Sequence, residues 1–239
     1  MDSASGSQPA RFGQVCSIHE AAKFNARTLR RRIACRRGRR WLSDQIRLWR
    51  SMMQPWIALL RGINVGGRNA MPMAALTATF QSAGCGSVRT YIQSGNVVFT
   101  SPEKSRQKLS KRLGDAIEDQ FGFRPSVLLL TEGEFRAAVA NNPFRSAVTE
   151  PKTLHFFFLD SVPKSPDMKG IEKLALPTER YKLVDAIFYL HTPDGFGRSK
   201  LAAGAERRLG EPATARNFTT IQKLSEMLDA EKPKSADGK

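Results

Sequence analysis

Cysteine is scarce: Cys16, Cys35 and Cys85 are far apart, and no CxxC occurs. That excludes a disulfide framework and a thiolate zinc site. Histidine is as sparse: His19, His155 and His191 are scattered, and neither His155 nor His191 has an obvious acid partner nearby in sequence, so no His-based metal centre or Ser-His-Asp set is spelled out. Ser94 lies in Ser94-Gly95-Asn96 and not in a G-x-S-x-G elbow. No carboxylate pair stands out from ordinary helix faces. No apolar run approaches the roughly 18 residues of a membrane span. Neither a metal nor a cofactor is expected. Catalytic residues are unassigned, and whether the chain is an enzyme is left open.

Acidic residues are also few: 22 Asp+Glu against 38 Lys+Arg, a net charge of +16 over 239 residues. The shortage is uneven. Residues 1–52 hold eleven Arg and one Lys, Lys23, against Asp2, Glu20 and Asp44, which is +9 and leaves +7 (26 minus 19) for the remainder. The run from Arg30 to Arg40 is the densest, and too few apolar residues lie nearby to offset the cost of ordering it. Residues 1–52 therefore read as a basic, disordered extension. Three origins fit: a nucleic-acid-binding arm, an Arg-rich transit peptide, or upstream sequence ahead of a true start at Met52 or Met53. The last is favoured, because Arg without Lys is what a GC-rich frame yields by accident and Met53-Gln54-Pro55 directly precedes the first strand. A secretory signal is excluded by the lack of a compact apolar segment before a small-residue cleavage site.

With 41% hydrophobic residues, the rest of the chain can build a core. Trp56 to Leu60 is a continuous apolar run, as in a central strand. A Gly- and Asn-rich loop follows, then a helix with Met73, Leu76, Phe80 and Ala83 on one face and Gly84 as its stop. Val88 to Ile92 alternates like an edge strand, Ser94-Gly95-Asn96 is turn chemistry, and Val97 to Phe99 is a buried strand. Ser101-Pro102 opens a helix closed by Gly122, and Val127 to Leu130 is a fourth strand. The order β-α-β-β-α-β is the ferredoxin-like arrangement, with the first and third strands central and adjacent.

A second α/β unit follows, of β-α-β-β-α type and readable as a divergent copy. Thr131 and Glu134 form a capping box. Leu154 to Leu159 is a strand, Ile171 and Leu174 mark a short helix, and Tyr181–Val184 and Ile187–Leu190 are strands joined at Asp185-Ala186. Arg198 to Leu209 is a helix, and Thr214 to Thr220 opens the last one, whose stripe is Phe218, Ile221, Leu224 and Leu228. The expected class is α+β, two ferredoxin-like (βαββαβ-type) units packed together: residues 53–130, then 131–230, with 231–239 a polar tail. A sheet with helices on one face leaves the other bare, so the units are expected to cover each other or form a groove.

Candidate ligand residues lie at strand-to-helix connections. Arg61, Gly62, Asn64, Gly66 and Gly67 sit in the first, where glycines let backbone N–H groups approach an anion; the same glycines also suit a tight turn. Arg198, Ser199 and Lys200 open one later helix and Arg216 and Asn217 another, with Ser199 as candidate cap of the first and Asn217 or Thr219 of the second. Gln93, Ser94 and Asn96 enrich the hairpin with amide and hydroxyl groups beyond what its turn needs. Convergence of these residues would make a phosphate or carboxylate pocket.

Leu60-Arg61-Gly62-Ile63-Asn64-Val65-Gly66-Gly67 and Tyr91-Ile92-Gln93-Ser94-Gly95-Asn96-Val97-Val98-Phe99 resemble hallmark segments of a bacterial domain-of-unknown-function family, number 1697. Gly197-Arg198-Ser199-Lys200-Leu201 and Ala213-Thr214-Ala215-Arg216-Asn217 resemble its C-terminal segments. The resemblance implies two ferredoxin-like subdomains in a soluble bacterial protein and brings no established activity. That family does not begin with an Arg-rich arm, which again favours a misassigned start.

The leading expectation is a cytoplasmic protein binding an anionic small molecule, a nucleotide or phosphorylated metabolite, in a groove between the units. The alternatives are an RNA- or DNA-binding module, although Asn96-Val97-Val98-Phe99-Thr100 lacks the RNP1 aromatic pattern, and a structural or interaction domain. Oligomeric state is not readable.

Overall fold

The computed structural model describes residues 52–230. The readings of the basic extension, apart from Met52 itself, and of the 231–239 tail lie outside the described residues.

Strand β1 (Gln54–Arg61) carries the run Trp56–Leu60, every residue of it essentially inaccessible. It pairs antiparallel with β3 (Asn96–Ser101) on one side and β4 (Ser126–Thr131) on the other. The edge strand β2 (Gly86–Tyr91) pairs with β3, giving the order β2-β3-β1-β4. Helices α1 (Met73–Ser82) and α2 (Arg106–Phe121) connect the strands. The central strands are apolar throughout because both faces of the sheet are covered. Trp56, Ala58 and Leu60 point to α1 and α2, while Ile57 and Leu59 point the other way, the period of two along a strand.

Ser101-Pro102 does not open α2. Ser101 is buried at the end of β3, and its hydroxyl accepts from the Glu103 N–H; the helix starts only after Ser105, whose hydroxyl caps the Lys108 N–H.

The second sheet repeats the first. Strand β5 (Leu154–Leu159) lies between β7 (Ile187–His191) and β8 (Ala213–Asn217), with β6 (Arg180–Val184) at the edge beside β7, in the order β6-β7-β5-β8. Helix α4 (Met168–Leu174) and helix α5 (Lys200–Leu209) supply its crossovers. Strand β8 corrects the sequence reading, which made Thr214 to Thr220 the entrance to the last helix: Ala213–Asn217 is a strand, and the helix begins at Phe218. Apart from Thr214, the strand's residues have little strand propensity, and the pairing comes from its neighbour: the Phe-rich β5 offers an open edge.

Each last strand runs straight into a helix. Thr131 ends β4 and caps α3 (Glu132–Ala140) in a capping box with Glu134; Asn217 ends β8 and caps α6 (Phe218–Asp229). These two helices form a layer between the sheets. Ile57, Leu59, Val98 and Leu130 of the first sheet and Leu154, Phe156, Phe158 and Tyr189 of the second enclose Phe135, Ile221 and Leu224 in one core. Phe135 stacks on Phe158 with centroids 6.3 Å apart, and the Tyr189 hydroxyl donates to the Ala138 carbonyl at 2.7 Å. The outer faces pack separately on α1 with α2 and on α4 with α5.

Candidate functional site

β1 ends at Arg61, beside the β2–β3 hairpin. The following loop folds back as a miniature hairpin: Val65 and Arg68 bridge, the Arg68 N–H donates to the Val65 carbonyl at 3.0 Å, and Gly66 and Gly67 both have positive φ. Two successive positive-φ residues make the turn whose twist suits a two-residue hairpin. Asn64 ties this loop to its surroundings, accepting from the Met71 N–H at 2.7 Å and donating to the Met71 and Gln93 carbonyls.

The β2–β3 turn presses on the end of β1. Gly95 accepts from the Leu60 N–H at 2.8 Å, and a Cβ there would lie 2.7 Å from Leu60 Cβ and Ile63 Cδ1, so only glycine fits. Asn96 is fully buried and donates to the Tyr91 carbonyl and the Ser94 hydroxyl oxygen. Its own oxygen accepts from Arg216 Nε.

Arg216 reaches across from β8. Its guanidinium donates to the carbonyls of Leu60 (2.7 Å), Ser94 (2.8 Å) and Ala215 (2.8 Å) as well as to Asn96. All four acceptors are neutral. Burial pulls its pKa down to about 10, which still leaves the group charged at neutral pH. Arg61 is placed differently: half exposed, it grips Glu206 of α5 as a fork, Nη1 to Oε1 at 2.6 Å and Nη2 to Oε2 at 2.7 Å. Such a solvent-exposed pair contributes about 0.2–1 kcal/mol.

These groups line a cavity of about 290 Å³ where the two sheets meet, walled by Leu60–Ile63, Val65 and Ser94 on one side and by Phe157, Ala202, Ala203, Glu206 and Ala213–Arg216 on the other. Of the residues singled out in the sequence, Arg61, Gly62, Ser94 and Arg216 meet there. Asn64 and Asn96 stand behind the wall as supports, and Gly66 and Gly67 form the tip of the loop hairpin. Gln93 is exposed outside the cavity. Ser199 caps α5 by accepting from the Ala202 N–H at 2.9 Å, while its neighbours Arg198 and Lys200 are exposed and off the cavity wall. Asn217 caps α6 through the Thr220 N–H and hydroxyl. Glu206 was missed by sequence reasoning: it is one acid on an amphipathic helix, and its partner lies 145 residues away.

A larger cavity of about 500 Å³ lies between α2, β4 and the Leu159-Asp160 end of β5. Its basic side chains are each tied to nearby acids: Arg106 to Glu134, Lys111 to Asp115 at 2.8 Å, and Arg124 to Asp115 at 2.6 Å and Glu118 at 3.0 Å. Of the two cavities, the smaller has on its wall a partly buried cation, Arg216, whose hydrogen-bond partners include no carboxylate. Among the described residues, no group of three or more His, Cys, Asp or Glu could hold a metal ion, and no helix is long and apolar enough to cross a membrane.

The sequence profile of a protein-of-unknown-function family, DUF1697, matches residues 53–189. The chain belongs to the DUF1697 family. The matched stretch takes in the first sheet, with Arg61, Ser94 and Asn96, and ends at Tyr189, before α5, β8 and α6. Among solved structures, this DUF1697 chain is similar to a conserved bacterial protein, SP0830, from Streptococcus pneumoniae. The two are 27% identical with a TM-score of 0.56, over 74% of this chain and 99% of that one. No curated protein matches it.

Proposed function

We propose that this protein binds a small anionic molecule in the cleft between its two α/β units, taken as residues 53–130 and 131–230. The observation that carries the reading is Arg216, a partly buried guanidinium on the cavity wall whose four hydrogen-bond partners are all neutral. Neutral dipoles satisfy its donors but leave its charge uncancelled, and in a poorly solvated site that charge attracts an anion more strongly than it would in water. Arg61 adds a second cation, and the hydroxyls of Ser94 and Thr214 add polar groups on the same wall. The ligand is a metabolite of a bacterial cytoplasm, in keeping with Cys85, which is buried and unpaired.

Nucleic-acid binding has less in its favour. Arg106, Lys111, Arg124, Arg136, Arg208 and Lys223 are ion-paired, and the β3 strand Asn96–Ser101 carries a single aromatic, Phe99, buried in the core.

The test is a thermal-shift panel on the full chain with inorganic phosphate, nucleotides, phosphorylated sugars, short carboxylates and an oligonucleotide. A small anion should raise the melting temperature, and Arg61→Ala should remove that rise while leaving the ligand-free protein folded. If no small anion stabilises the protein, or if the rise survives Arg61→Ala unchanged, the reading fails.

A further inference from the structure

We infer that the cleft takes a small monocarboxylic acid with a compact apolar body, and that Glu206 is the internal anion this ligand displaces. The inference rests on the anion-binding reading above and narrows it. Glu206 shows what the Arg61 fork accepts: a planar carboxylate, both oxygens engaged, at 2.6 and 2.7 Å. About two fifths of each partner's side chain is exposed, so Glu206 can leave for water at little cost. An incoming carboxylate would inherit the same two hydrogen bonds.

Charge at the mouth separates carboxylate from phosphate. Arg61 pairs with Glu206, and Asp160 lies close enough to feel Glu211, Arg61 and Glu206, so the mouth already holds acids beside its guanidinium. A monocarboxylate that replaces Glu206 at the fork leaves the local charge there unchanged. A phosphate dianion doubles the repulsion from Asp160 and Glu211. Beyond the fork, Ile63, Phe157, Ala202 and Ala215 give the wall an apolar stretch beside Arg216, Ser94 and Thr214. The volume of about 290 Å³ sits at the low end of ligand pockets, which suits a compact body and not a nucleotide.

The experiment is isothermal titration of the full chain with hexanoate and benzoate, against inorganic phosphate and adenosine monophosphate. The two carboxylates should bind and the two phosphates should not. Arg61→Ala should abolish carboxylate binding. Glu206→Gln, checked for an unchanged ligand-free melting temperature, should tighten it by about fivefold, the upper worth of an exposed ion pair. Phosphate binding that depends on Arg61, without carboxylate binding, overturns this inference and leaves the anion reading standing. Carboxylate binding that Glu206→Gln leaves unchanged or weakens overturns the role given to Glu206. Failure of all four probes with both the parent and Glu206→Gln overturns the inference, and the anion reading falls with it once the phosphorylated sugars and other nucleotides of the thermal-shift panel also fail.

Discussion

Replacing Arg216 with methionine keeps much of the side chain's volume and removes four donated hydrogen bonds. Three of them cross from the second sheet to the first: to Leu60, to Ser94 and to Asn96. Counting each at the roughly 1.5–3 kcal/mol of a charged hydrogen bond would overstate the loss. Burial of the guanidinium already costs solvation, as its lowered pKa records, and that cost is recovered when the charge goes. What remains is three acceptors left without a donor, each worth about 1–3 kcal/mol if sealed from water. The adjoining cavity of about 290 Å³ admits water, which holds the loss to the low end. The expected destabilisation is thus about 3 kcal/mol, or a fall in Tm of about 6–12 °C for a domain of this size. Urea unfolding measures it, with Arg61→Ala as the control expected to cost under about 1 kcal/mol. An unchanged m value would assign the shift to stability and not to a changed denatured state. If Arg216→Met lies within about 0.5 kcal/mol of the parent, like an ordinary surface change, the guanidinium does not join the sheets and the reasoning fails.

Three further outcomes follow from particular residues. Burial drops the pKa of His155 from 6.5 to about 4, so the unfolded chain binds the proton more readily and stability is lost as pH falls from about 6.5 to about 4. His155→Phe, which keeps a ring against Phe196, should flatten that loss of about 3 kcal/mol in denaturation curves taken across the window; an equally steep loss in the variant would point to another group. Gly95→Ala forces a methyl to 2.7 Å from Leu60 Cβ at a positive φ and should cost about 2–4 kcal/mol, read as a lower urea midpoint. Asn217→Ala removes the cap of α6 and should cost about 1 kcal/mol by the same assay, with Asn217→Ser recovering most of it.

The two folding units were largely legible because burial writes itself into composition. Leu154 to Leu159 is apolar at every position but His155 since both of its faces are covered, and its bounds could be read directly. The caps Thr131, Ser199 and Asn217 were legible for a local reason: side chain and partner N–H lie within three residues. Strand β8 was not, because nothing in Ala213–Asn217 distinguishes a strand held by its neighbour from the first turn of a helix. The same blindness applied to the cleft. Arg61, Ser94 and Arg216 could be nominated, but what they bond could not, since Glu206, Leu60 and Asn96 are distant in sequence. Arg198 and Lys200 shared the pattern of a cation near a helix start, yet the side of the helix they occupy is set by packing, and it is turned away from the cleft.

The repeated topology explains why there are two cavities and why they differ. The helix caps Thr131 and Asn217 pair with Trp56 and His155, which fixes the correspondence of β1 with β5 and of β4 with β8. Five residues further on, the first strands deliver Arg61 and Asp160 to corresponding places, one cationic and one anionic. One residue before each cap stand Leu130 in β4 and Arg216 in β8. Each cavity is built from the second helix and last strand of one unit with the first-strand end of the other. The backbone therefore made two equivalent clefts, and side chains separated them. Where the wall carries Leu130, it joins the shared core and sends no charge across. Where it carries Arg216, a guanidinium crosses to the first unit, locks the Ser94-Gly95-Asn96 turn against the end of β1 and leaves its charge in the cleft. One side chain thus both fastens the units and sets the polarity of the space between them, so Arg216→Met tests the joint while Arg61→Ala tests the ligand site. Arg61→Ala should therefore lose binding at a cost of under about 1 kcal/mol in stability, while Arg216→Met should lose stability as well.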